Sequence, residues 1–261
     1  MQWNRSLSPL ALACAFVPLF GALIVLRGFD SDWDFLNYHW YNAYAWLTDR
    51  RAFDVAVAHH ATYYNPVADI PVYLAAQVLP AWAVGFLIGC VHGLNLLLLY
   101  CLARAALAAR AGTQGDWLAL ALAVAGTTGG MALMIVGNTS NDMTVSLFVL
   151  LALLPLVHAA QSDGHDRRWH FVAAGVAGGV AVGVKLTMAP FAFGLAAGAF
   201  ALRAPLGTRW QRVALLGVGG VFGAALFGGL WAHTLWRERT LPISIWRWDN
   251  PKKLVSSSGS L

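Results

Sequence analysis

The sequence predicts an all-α polytopic membrane protein, a bundle of about seven transmembrane helices. Three observations predict it. Hydrophobic residues make up 59% of the chain and charged residues only 11%, against roughly 25% charged in a soluble domain. The apolar residues come in long uncharged runs, and several arginines fall in the short connections between them. Positive charge placed there sets topology, so the net charge of +5 does not point to nucleic acid. Cys14, Cys90 and Cys101 all lie in apolar stretches with no CxxC pair, which argues against a disulfide framework or a zinc site.

The first span, Pro9 to Leu26, has no small-residue cleavage pattern before Arg27 and reads as an uncleaved anchor. Trp82 to Leu102 is the second span, Trp117 to Val136 the third and Met143 to Ala160 the fourth. The run from Phe171 to Leu202 is interrupted by Lys185 and Pro190. It predicts a hairpin of two short helices with its tip at Lys185 to Thr187, or else one tilted, kinked helix with Lys185 snorkelling. Val213 to Trp236 is the last clear span. An N-terminus in the cytoplasm puts Arg104/Arg110, Arg167/Arg168 and Arg203/Arg209/Arg212 inside, as the positive-inside rule requires. The 27–66 loop, the Asn138 turn and Lys185 then lie outside. Residues 1–236 form the membrane domain, and 237–261 read as a polar, disordered tail.

The 27–66 loop carries the most chemistry. Asp30, Asp32 and Asp34 alternate as in an EF-hand calcium loop. That loop needs Gly at its sixth position and Glu at its twelfth, where this chain has Phe35 and Tyr41. From Trp33 the period turns helical. Trp33, Leu36, Trp40 and Leu47 make an apolar side, and Asp34, Asn37, Tyr38 and Tyr41 a polar one, as in a helix lying in the membrane interface. Ser31 or Asp32 also fits an N-cap, with Asp34 in the favourable first turn. Asn138, Asn141, Asp142 and Lys185 fall on the same predicted side. Ionisable groups at membrane depth mark functional sites by default. Carboxylates beside one ammonium suit transfer from a lipid phosphate, with a general base and a point charge for the leaving group.

The order Asp34-x-x-x-Tyr38-His39 after the first span, then Asn65-Pro66 before the second, resembles bacterial membrane glycosyltransferases of the GT-C superfamily. The segments NTSNDMTVSLF at 138–148 and GVAGGVAVGVKLTMAP at 175–190 resemble later elements of that group. The resemblance spans roughly Arg27 to Trp236. It implies a GT-C-like fold in the bacterial inner membrane and inverting transfer of a sugar from a polyprenyl-phosphate donor. The acceptor would be a glycan, lipid or protein at the extracytoplasmic face. It assigns the general base to Asp34, with Asp30 or Asp32 able to share that role. It assigns donor or substrate binding to Tyr38, His39, Asn65, Asp142 and Lys185. It implies no definite cofactor and allows a divalent cation. Such enzymes usually run much longer, so the chain is expected to be truncated.

His39, His59 and His60 lack the spacing that fixes metal geometry. His92 and Asn95, one turn apart, predict interhelical hydrogen bonds, and the glycine clusters predict close helix packing. A transporter or flippase of lipid-linked intermediates is the alternative class. It would normally carry internal repeats, which the sequence does not display. An inactive membrane fragment is the third reading.

Overall fold

The computed structural model describes residues 8–28, 32–50, 54, 58–107, 113–161 and 168–237. Among them every regular element is helical. Asp30, Arg110, Arg167 and the 238–261 tail lie outside the described residues.

Helix α1 (Pro9–Arg27) starts where Ser8 Oγ accepts from the Ala11 N–H at 3.1 Å and Pro9 fills the first position, where its missing donor costs nothing. It ends at Gly28, whose φ of 99° suits only glycine. A π-helical turn (Phe35–His39) runs into α2 (Trp40–Leu47). Two 3₁₀ turns then lead through Asn65 and Pro66 to the short α3 (Asp69–Val78). Next come α4 (Ala81–Ala106), α5 (Thr113–Thr127), α6 (Gly130–Ile135), α7 (Asp142–Gln161), α8 (Trp169–Val184), α9 (Ala189–Ala201) and α10 (Leu206–Arg237).

Three described helices are long and apolar enough to cross a membrane: Ala81–Ala106, Asp142–Gln161 and Leu206–Trp236. Cys14–Arg27, Trp169–Val184 and Leu186–Ala201 are apolar and shorter. The third expected span is broken. Its helix stops at Thr127 and restarts at Gly130, so α5 reaches about 22 Å against a hydrocarbon core of about 30 Å. Gly129 is extended, and adjacent glycines favour a break. The Thr127 and Thr128 hydroxyls turn back onto carbonyls of the preceding turn. At Lys185 the backbone is extended, with φ −140° and ψ 107°. Leu195 of α9 then lies against Gly178 of α8, so the two helices double back on each other.

Two apolar clusters hold the bundle. Leu12, Leu96, Tyr100, Ala119 and Ala123 join α1, α4 and α5. Ala152, Leu156, Phe171, Ala174, Leu195, Ala199 and Leu216 join α7 to α10. The tightest seam is α8 on α10. A methyl at Gly175 or Gly179 would collide with the Leu216 or Gly220 carbonyl, and one at Gly219 or Gly223 with the Val172 or Val176 carbonyl. Small residues permit this backbone approach in lipid, where association rests on packing and not on hydrophobic burial. The opposite face of α10 carries Val218, Val221, Phe222 and Leu230, each more than 60% exposed, as a lipid-facing surface would.

Polar side chains cross-link the rest. Asn95 on α4 donates to the Met143 carbonyl at 2.8 Å and accepts from Ser146 Oγ at 2.7 Å, and His92 Nδ1 accepts from the Gly137 N–H at 2.9 Å. The Asn95 bonds are of the interhelical kind the sequence predicts, whereas His92 ties α4 to the turn before α7. Arg27 donates to the carbonyls of Leu133, Met134 and Val136, placing positive charge at the C-terminal end of α6, where the helix dipole favours it. Arg104 pairs with the buried Asp116 at 2.5 Å, tying α4 to α5.

Candidate functional site

Four segments far apart in sequence meet at one end of the bundle: the 32–42 helix, the 65–69 turn, the 137–142 turn and Lys185. Their meeting follows from local chemistry. Asp32 Oδ1 accepts from the N–H of the next residue, Trp33, at 2.8 Å. Its Oδ2 accepts from Asn138 Nδ2 at 2.8 Å. Asn138 and the Trp33 N–H together hold the Asp32 carboxyl below its usual pKa.

The next turn of this helix presents Asp34, half-buried, to Tyr38. Burial, and then the Asp34 carboxylate, push the Tyr38 phenol well above its usual pKa. Tyr38 packs on His39 with ring centroids 4.3 Å apart and meets Tyr64 edge-on at 5.5 Å. The π-helical turn over Phe35–His39 shifts the helical phase and buries Tyr38 and His39 together. Trp33 and Leu36 stay exposed, in keeping with an interfacial helix.

His39 and Asp69 form the most deeply buried ionisable pair at this end, 7% and 6% exposed. His39 Nδ1 lies 2.9 Å from Asp69 Oδ1, while His39 Nε2 is buried without a partner. Burial pushes the Asp69 carboxyl up in pKa, against the opposing pull of His39 and Asn141. Asn141 Nδ2 donates to the same Asp69 oxygen at 2.7 Å. One residue on, Asp142 Oδ1 accepts from Lys185 Nζ at 2.6 Å, and Lys185 also donates to the Ser140 carbonyl at 3.0 Å. An ammonium has three donors, and among the described residues two of those of Lys185 are used inside the fold.

The expected site residues therefore divide. Asp32, Asp34, Tyr38, His39, Asp142 and Lys185 belong to this end, whereas Asp30 lies outside the described residues. Asn65 has a different occupation. Its amide donates to the Gly183 carbonyl at 2.7 Å and the Phe227 carbonyl at 2.9 Å, and its Oδ1 accepts from the Val67 N–H, tying α8, α10 and the 3₁₀ turn together. Sequence reasoning leaves Asp69 out of the site and places Asn141 on its side of the membrane without a role. A signal existed for Asp69, the one acid between Asp54 and Asp116. Among the described residues no group of three His, Cys, Asp or Glu stands ready to hold a metal ion.

Beside this network an apolar groove of about 380 Å³ runs between Phe35, Leu36 and Trp40 on one wall and Ala76, Leu79, Ala81 and Val84 on the other. Phe35 and Trp40 also border the hollow next to His39 and Asp69. The end of the bundle thus offers carboxylates, one ammonium and an adjoining apolar channel.

No curated protein and no solved structure matches the chain. A family model described as dolichyl-phosphate-mannose-protein mannosyltransferase matches residues 72–232, which is more than half of the chain. The matched stretch includes the Asp142–Lys185 pair and begins after the first-loop helix and Asp69. The chain belongs to the dolichyl-phosphate-mannose-protein mannosyltransferase family of multi-pass membrane glycosyltransferases, which are of the GT-C type and draw on polyprenyl-phosphate-sugar donors.

Proposed function

We propose that the 32–42 helix and the Asp142–Lys185 pair form the donor site of an inverting sugar transfer at the extracytoplasmic face of a bacterial inner membrane. The observation that carries this reading is the 2.6 Å ion pair between Asp142 and Lys185, at the same end of the bundle as Asp34. Asp142 and the Ser140 carbonyl hold the ammonium in place, and its remaining N–H meets the donor phosphate. The groove beside Phe35 and Trp40 takes the prenyl chain.

In the reaction, Asp34 removes the proton from an acceptor hydroxyl of a glycan, lipid or protein. The oxygen attacks the anomeric carbon of the sugar. The bond from that carbon to the phosphate oxygen breaks on the opposite face, and its electron pair leaves with the polyprenyl phosphate. Lys185 stabilises that charge as it develops, which is where a fixed cation lowers a barrier most. The attack inverts the anomeric centre.

Replacing Asp34 by Asn keeps the shape and removes the base. Transfer of labelled sugar from a polyprenyl-phosphate donor, in membranes with equal folded protein, should fall by about 10²- to 10⁴-fold. Undiminished transfer would remove Asp34 from the base role.

A further inference from the structure

Lys185's two oxygen partners, the Ser140 carbonyl and Asp142 Oδ1, flank a single residue in the chain. That residue, Asn141, has a φ of 66°, a left-handed conformation that asparagine tolerates and most side chains do not. Its carbonyl accepts from the Val145 N–H at 2.8 Å and so begins α7. Its side chain reaches the other way, to Asp69 at 2.7 Å, with His39 Nδ1 at 3.4 Å. Asp69 is in turn fixed by His39 at 2.9 Å; His39 and Asp69 are buried and Asn141 is half-buried beside them.

Rotating Asn141 would swing both of Lys185's partners at once. We infer that Asp69, fixed by His39 and acting through Asn141, is a positioning residue that sets where the Lys185 ammonium meets a lipid-linked phosphate. The inference rests on the donor-site reading above, and it gives Asp69 a part that no local motif assigns.

Binding of polyprenyl phosphate alone, to the full chain in nanodiscs of zwitterionic lipid, tests it without an acceptor or a known sugar. Lys185→Ala should weaken binding, and Asp69→Asn, which keeps size and an acceptor oxygen but loses the charge, should weaken it by roughly tenfold, the scale of coupling between polar neighbours. The double variant should bind no worse than Lys185→Ala alone, because Asp69 acts only through the ammonium. Additive losses in the double variant would overturn the positioning role and leave the donor site standing. Unchanged binding by Lys185→Ala would bring down the donor-site reading and this inference with it.

Should Asp69→Asn fail to fold, Asn141→Gly takes its place. Glycine accommodates the left-handed backbone, and the change removes the side chain that reaches Asp69. The same non-additive loss is expected, and wild-type binding by Asn141→Gly would overturn the inference.

Discussion

The α8–α10 seam and the 137–142 turn both fix neighbouring segments, by opposite chemistry. In the seam, glycines at 175, 179, 219 and 223 bring backbone onto backbone by having nothing in the way. In the turn, side chains of Asp32, His92 and Asp69 each take one residue of a six-residue loop and Lys185 takes two. The first arrangement answers to volume and the second to hydrogen-bonding groups. A seam of this kind holds a fold rigid, and a turn of this kind can present a charge at a chosen point. Rigidity stands behind the site, since Asn65 bonds to the carbonyls of Gly183 in α8 and Phe227 in α10, two residues before Lys185.

The comparison breaks most readily at the seam. Gly179→Leu drives a side chain into the Gly220 carbonyl and should cost at least the roughly 1–3 kcal/mol of ordinary overpacking. The loss would be read as a lower unfolding midpoint in detergent. Gly217→Leu on α10, the other helix of the seam, where nothing lies within 4 Å, serves as the partner measurement and should stay within about 0.5 kcal/mol. Equal behaviour of the two variants would contradict the seam. Asn65→Ala comes next. It leaves two carbonyls without that donor and should lower stability by about 1–3 kcal/mol, with no demand on volume. Asp32→Ala should cost least of the three, because its side chain is exposed, and a fall in the unfolding midpoint as large as that of Asn65→Ala would contradict this order.

Much of this was legible in the sequence, for identifiable reasons. Uncharged runs disclose α4, α7 and α10 because a bilayer demands them. The broken third span escapes the same reasoning, since Gly129 and Gly130 interrupt the helix without interrupting its apolar character. Lys185 stands out as a charge in an apolar stretch, and its partner Asp142 as an acid at the start of one. The pairing of His39 with Asp69 does not, because thirty residues separate them and no periodicity joins the two segments. Asn65 resembles a binding residue in sequence. Its partners are main-chain carbonyls, which every sequence has, so only the folded chain discloses its use as a tie.

The central claim is that the first-loop helix and the turn before α7 build one site, although the family match covers only the second. Cysteines at 32 and 138, in a chain with Cys14, Cys90 and Cys101 replaced by serine, test that claim most directly with a short bis-thiol linker in native membranes. The Asp32 and Asn138 side chains meet at 2.8 Å, so the account predicts rapid intramolecular linkage of 32 to 138 and none from a cysteine at the lipid-facing position 221 to 138. Failure of the 32–138 pair to link, while both thiols react singly with the same reagent, would contradict it.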